Sequence, residues 1–172
     1  MQIRDAREGD LPAILAITND AILHTTAIWS LTPTTLQARR AWLEERQGSG
    51  FPVLVAAEGE AVLGFASYGG FRPWEGYRES VEHSLYVARE RRGRGVGKAL
   101  LERLIAHAGE AGKHVMIAGI AGDNAVSLRL HAAFGFREAG RLHEVGRKFD
   151  RWLDLVLLER FLSPPSNRAT RP

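Results

Sequence analysis

The sequence predicts a single α/β domain built on a mixed sheet. Three observations carry that expectation. Apolar runs of strand length alternate with segments of helical spacing along the chain. A glycine-rich stretch stands between a strand and a helix. No internal repeat or linker divides the 172 residues, a length that suits one ordinary domain.

The elements follow in order. Ile3 to Ala6 reads as a short first strand. Asp10 is placed to cap a helix whose apolar positions are Leu11, Ile14, Leu15, Ile17, Ala21 and Ile22. Thr32-Pro33-Thr34 opens a second helix through Leu36, Ala41, Trp42 and Leu43, and Gly48-Ser49-Gly50 ends it. Pro52 to Ala57 and Ala61 to Tyr68 form an antiparallel hairpin about Glu58-Gly59-Glu60. Gly69 to Tyr77 is an aromatic loop. Ser80 to Val87 alternates, with Val81, His83, Leu85 and Val87 on one face and Glu82, Ser84 and Tyr86 on the other. Val96, Ala99, Leu100, Leu104 and Ala108 carry a third helix, closed near Gly112. His114 to Ile120 is a buried-type strand, Asn124 to Phe134 a fourth helix, and Phe136 to Val145 and Trp152 to Leu158 two closing strands. The domain is expected over residues 1–162, with a flexible tail over 163–172.

Composition narrows the function. There are no cysteines, which excludes disulfides, zinc-thiolate sites and a cysteine nucleophile. No apolar run approaches the roughly 20 residues of a bilayer span, and charges interrupt the N-terminal stretch where a secretory signal would lie. A cytoplasmic protein without membrane contact is expected. The sequence pI of 9.7 suggests a nucleic-acid binder until the charge is located. Residues 89–98 hold a net charge of +4 and the tail from Ser163 another +2, leaving −3 elsewhere. A duplex reader spreads its Lys and Arg over a face. One glycine-laced segment suits a compact anion instead, and no nucleic-acid partner is expected. His24, His107 and His143 have no metal-ligand spacing, so no metal is expected.

That segment is Arg92-Gly93-Arg94-Gly95-Val96-Gly97-Lys98. Glycines let the backbone curl so that N–H groups converge, and a helix N-terminus adds partial positive charge. A P-loop would need Gly at Arg92 and Ser or Thr at Ala99; a dinucleotide fingerprint would need Gly at Lys98 or Leu100. Both fail. The pattern Arg92, Gly95, Gly97 resembles the pyrophosphate loop of the GCN5-related N-acetyltransferases (GNAT family). Asn124 and Leu130-His131-x-x-Phe134-Gly135-Phe136 extend the likeness, with His131 where the family commonly has Tyr. Within the family the chain is most similar to the phosphinothricin and methionine sulfoximine acetyltransferases. That likeness rests on Phe71 to Tyr77, Val81 to Val87, Gly112 to Met116, and Val145-Gly146-x-Lys148-Phe149-x-x-Trp152-Leu153-Asp154.

The resemblance implies the GNAT fold: a central, mostly antiparallel mixed sheet of about seven strands flanked by about four helices. It implies acetyl-CoA as co-substrate, held by Leu85, Tyr86, Val87, the 92–98 loop and Asn124. The reaction implied is attack of an amine on a thioester. An amine protonated at neutral pH needs a base, and the resemblance points to Glu82. The Val87 N–H would meet the oxyanion. His131 is a candidate acid for the departing thiolate, or else a packed helix residue. Asn124 caps its helix or bonds the pantetheine arm.

For the acceptor, Phe71, Pro73, Trp74 and Tyr77 offer walls, His83 follows the base, and Arg72 would pair with a substrate carboxylate. The implied acceptor is a small amino acid such as methionine sulfoximine, methionine sulfone or phosphinothricin. Lys148, Phe149 and Trp152 would close the pocket, across a homodimer as the resemblance implies. The competing readings are a protein N-terminal or lysine acetyltransferase and a non-catalytic CoA-binding sensor of the same fold.

Overall fold

A computed structural model describes residues 1–162, and the expected tail lies outside the described residues. The sheet has seven strands: β1 (Gln2–Asp5), β2 (Val53–Glu58), β3 (Ala61–Gly70), β4 (Ser80–Val87), β5 (Val115–Ala121), β6 (Arg137–Lys148) and β7 (Arg151–Phe161). Their order across the sheet is β1-β2-β3-β4-β5-β7-β6. Every neighbouring pair is antiparallel except β4 and β5, which are parallel.

Four helices cover the sheet: α1 (Leu11–His24), α2 (Leu36–Gly48), α3 (Val96–Glu110) and α4 (Ala125–Ala133). Strand alternation sorts the core into two layers. Leu54, Ala56, Ala66, Tyr68, Val81, Met116 and Ala118 pack with Leu100, Leu101, Leu104 and Ala108 of α3. On the other face, Val53, Val55 and Phe65 pack with Leu11, Ile14 and Ile17 of α1 and Leu43 of α2.

Beyond shifts of a few residues at strand ends, three features differ from the expectation. Asp10 caps no N–H of α1. Its carboxylate takes a bidentate pair from Arg4, at 2.7 and 2.8 Å, and the Arg7 N–H, which ties β1 to the start of the helix. The cap of α2 is Thr35, whose hydroxyl accepts from the Ala38 N–H, so the helix begins after the Thr-Pro-Thr segment. The last hairpin is longer than expected. Lys148 pairs with Arg151 around Phe149-Asp150, both at positive φ, a tight turn without the Asn-Gly or Asp-Gly signature that marks such turns in sequence.

Candidate active site

The site begins where the sheet opens. Strands β4 and β5 pair only at Ser80–Val115, Val81–Met116 and Glu82–Ile117. β4 continues against β3 to Val87, and β5 against β7 to Ala121. Beyond Glu82 the two parallel strands therefore form a fork. Its walls are His83 to Tyr86, Ala118 to Ala121, Asn124, Ser127 and His131.

The backbone lining the fork follows from the ladder. Phe71 N–H bonds Ser80 C=O, and Ala88 N–H bonds Leu63 C=O. In an antiparallel pair such bonds recur at every second residue, so Ser80, Glu82, Ser84 and Tyr86 face β3. Leu85 and Val87 direct their N–H and C=O groups the other way, into the fork. Backbone groups turned this way can donate to, and accept from, an extended ligand lying between the strands.

At the mouth of the fork the glycine segment turns into α3. Gly93 and Gly95 have φ of 73° and 81°, and Gly95 stands at the N-cap. That left-handed backbone lets the chain enter the helix with the first N–H groups of α3 directed outward. Arg94 and Lys98 flank them. A pyrophosphate fits this donor set. Gly97 faces Leu85, Val87 and Leu130, with 3.4 to 3.6 Å left for a Cβ, so it serves close helix-to-strand packing. Arg92 also makes contacts within the fold. Its Nε donates to the Val87 carbonyl at 3.2 Å and its guanidinium reaches Asp20 at 3.5 Å, so it braces the end of β4.

Glu82 lies half-buried on the α1–α2 face of the sheet. One carboxylate oxygen sits 3.3 Å from where a side chain on Gly119 would begin. Burial pushes its carboxyl above the ordinary range, and the Arg72 guanidinium pulls the other way. Arg72 lies in the loop as expected, stacked on Phe71 at 4.1 Å, with Phe71 and Tyr77 ring-to-edge at 5.7 Å. Pro73 and Trp74 are exposed, Trp74 by 67 %. The loop brings aromatic surface and one cation beside Glu82.

A model of the acetyltransferase (GNAT) family matches residues 14–136. The chain belongs to the GNAT family. A methionine sulfoximine/methionine sulfone acetyltransferase of Pseudomonas aeruginosa is 51 % identical over 163 residues, covering 94 % of this chain and 95 % of that one. A phosphinothricin N-acetyltransferase of Alcaligenes faecalis is 40 % identical, covering 94 % and 82 %. The solved acetyltransferase yncA from Salmonella typhimurium, with its cofactor acetyl-CoA, superposes with a TM-score of 0.94 at 45 % identity over 99 % of each chain. A ribosomal-protein-alanine N-acetyltransferase from Brucella melitensis gives 0.92 at 53 % identity, over 94 % of this chain and 99 % of that one.

Two histidines of this GNAT enzyme meet beside the fork, and His131 takes the packed one of its two expected readings. His83 was expected to touch substrate, yet it lies on the sheet face opposite Glu82, buried and stacked on His131 with ring centroids 5.1 Å apart. His131 was a candidate acid. Its Nδ1 meets the Ser127 carbonyl at 2.7 Å and so carries the proton, and its Nε2 accepts from His83 Nε2 at 3.1 Å. No His131 proton is left to aim at the fork. His83 Nδ1 is then a buried acceptor without a partner among the described residues. Burial drives the His83 pKa down to about 3 and lowers that of His131. Asn124 takes the cap expected of it, accepting from the Ser127 N–H at 3.1 Å, while lining the fork.

The neutral pair has a consequence for stability. As pH falls below about 6.5 the unfolded imidazoles take up protons before the folded ones do. The unfolded state then binds more protons, so acid destabilises the fold, by up to about 1.4 kcal/mol per pH unit from His83. Melting curves from pH 7 to pH 5 should show a falling Tm. The double variant His83→Phe/His131→Phe should flatten that fall; an unchanged pH dependence would contradict it.

Sequence reasoning missed Gly69 and Gly119, which flank Glu82 on β3 and β5. A side chain at Gly119 would crowd the carboxylate. A glycine inside a buried-type strand is itself a sign of close approach, so the signal was present. Lys148 was expected to close the pocket. It is buried instead, and its ammonium donates to the Thr25 and Ile28 carbonyls at 2.7 and 2.5 Å. It secures the connection between α1 and α2.

Proposed function

We propose that this N-acetyltransferase acetylates the α-amine of a small amino acid with an oxygen-rich side chain, of which methionine sulfone and methionine sulfoximine are the models. The observation that carries the reading is the Glu82 carboxylate at the fork, half-buried, on the sheet face away from α3. The amine approaches from the α1–α2 side. Acetyl-CoA, lying in the fork with its pyrophosphate on the Gly93–Lys98 turn, supplies the thioester. Glu82 accepts the ammonium proton, directly or through a water. The Val87 N–H donates to the developing oxyanion. His131 and His83 hold the α4 wall as a positioning pair. Asn124, Leu85 and Tyr86 border the pantetheine path.

Arg72 pairs with the acceptor carboxylate, and Phe71, Trp74 and Tyr77 wall the pocket. Replacing Arg72 with Ala should raise the KM for the amino acid about tenfold or more, the worth of a charge-assisted hydrogen bond. An effect on acetyl-CoA alone would overturn the anchor.

The reading includes a homodimer and a cytoplasmic location. Leu142, Val145 and Trp152, 46 to 60 % exposed on the β6–β7 hairpin, offer the apolar surface for a second copy. The test of function is acetyl-CoA consumption against a panel of amino acids and an N-terminal alanine peptide. Turnover of methionine sulfone above the peptide is expected. Turnover of the peptide alone would favour a protein acetyltransferase, and binding of acetyl-CoA without any turnover a sensor.

A further inference from the structure

Helix α2 presents an inward face with two arginines on it. Arg39, Trp42, Leu43 and Arg46 face the sheet at helical spacing and are the less exposed positions of the helix. Trp42 packs on Phe65 of β3, 6.0 Å between centroids. Arg46 reaches Gly69, near the end of the same strand. A Cβ on Gly69 would fall onto the Arg46 guanidinium, 2.5 Å from its central carbon. Gly69 is thus a notch in β3 that the guanidinium fills, directly across the ladder from Glu82.

The cations are poorly matched by protein anions. Among the described residues, the Nε of Arg39 and that of Arg46 are both buried without a hydrogen-bond partner. Arg46 has a contact to Glu45 at 3.8 Å, too long for a hydrogen bond. Arg39 stacks on Trp42 at 4.7 Å, and burial together with the neighbouring Arg46 weakens its hold on a proton. Two like charges turned inward beside the acceptor half of the site leave donors for a ligand bearing oxygens.

The spacing says which part of the ligand. Gly69 and Gly119 flank Glu82 on β3 and β5. Adjacent strands are about 4.8 Å apart, so the guanidinium over β3 and the carboxylate oxygen on the β5 side of β4 are on the order of 10 Å apart. The amine and a sulfone oxygen of methionine sulfone are five bonds apart, about 6 Å extended. A hydrogen bond of about 2.9 Å at each end brings the reach to about 12 Å. An α-carboxylate, three bonds from the amine, reaches only about 9 Å in the same way.

Building on the amino-acid reading above, we infer that Arg46, seated in the Gly69 notch, holds the oxygen-bearing end of the acceptor's side chain. The class selected is a side chain ending in a sulfone, sulfoximine, phosphinate or carboxylate. Arg72 takes the α-carboxylate common to all amino acids. Arg39 adds positive potential from two helical turns away.

The test compares L-methionine sulfone with L-methionine, which lacks the terminal oxygens, in steady-state acetylation by the unmodified enzyme, Arg46→Met and Gly69→Ala. Gly69→Ala keeps the charge and displaces it from the notch. Both variants should raise the KM for methionine sulfone about tenfold or more and lower the sulfone-to-methionine ratio of kcat/KM accordingly. Acetyl-CoA affinity should stay unchanged. An equal loss for both amino acids, or none, would overturn the assignment while leaving the amino-acid reading intact. If the unmodified enzyme acetylates neither amino acid, the proposed function itself fails.

Discussion

Replacing Glu82 with Gln is expected to lower kcat by about 10²- to 10⁴-fold, the usual contribution of a positioned general base, with acetyl-CoA affinity nearly unchanged. The sharper readout is the pH profile. A carboxylate works as a base only when ionised, and burial between β3 and β5 disfavours its charge. The acid limb of kcat/KM for the unmodified enzyme should therefore lie above the ordinary carboxylate range. Arg72→Ala removes the opposing cation and should move that limb higher still. In Glu82→Gln the limb should vanish. The variant is nearly isosteric, and Glu82 lies beside Gly119 rather than in a packed core, so the fold should survive. Unchanged turnover together with an unchanged pH profile would remove Glu82 from the reaction.

The second large effect should come from Gly95→Val. Gly95 sits at φ 81°, where a β-branched residue is strained by about 1–2 kcal/mol or more. The chain would relieve that strain by rotating the first N–H groups of α3 away from their shared direction. The donor set rather than the core is lost, because a Cβ at Gly95 meets nothing within 4 Å. The KM for acetyl-CoA should rise tenfold or more, while kcat at saturation and the KM for the amino acid change little. A Tm close to that of the unmodified enzyme would show that the fold is intact. Unaltered acetyl-CoA dependence would mean that this turn does not hold the pyrophosphate.

Much of this was legible in one dimension. β4 was bounded at Ser80 and Val87 from strict alternation alone, because a half-buried strand writes its two faces into successive residues. The glycine turn was legible because positive φ nearly demands glycine. Glu82 stood out because a carboxylate on the polar face of such a strand is chemically distinctive. The contacts that were not legible share a cause. Lys148 is a polar type that composition assigns to solvent, and it is held by partners distant in sequence, Thr25 and Ile28; Arg92 and His131 likewise have distant partners in Asp20 and His83. The alternation of β4 placed His83 opposite Glu82, but the ring beside it belongs to α4, 48 residues on.

The sequence by itself determined the list of elements, the glycine turn before α3 and the carboxylate on the polar face of β4, since each is written in neighbouring residues through backbone conformation and side-chain period. Only the tertiary structure decided where β4 and β5 stop pairing, which sheet face each histidine occupies, and that Gly69 makes room for Arg46 beside Glu82. Those depend on lateral neighbours across the sheet. Two residues opposed across a strand ladder have no fixed spacing along the chain, so no local pattern records them until the sheet has assembled.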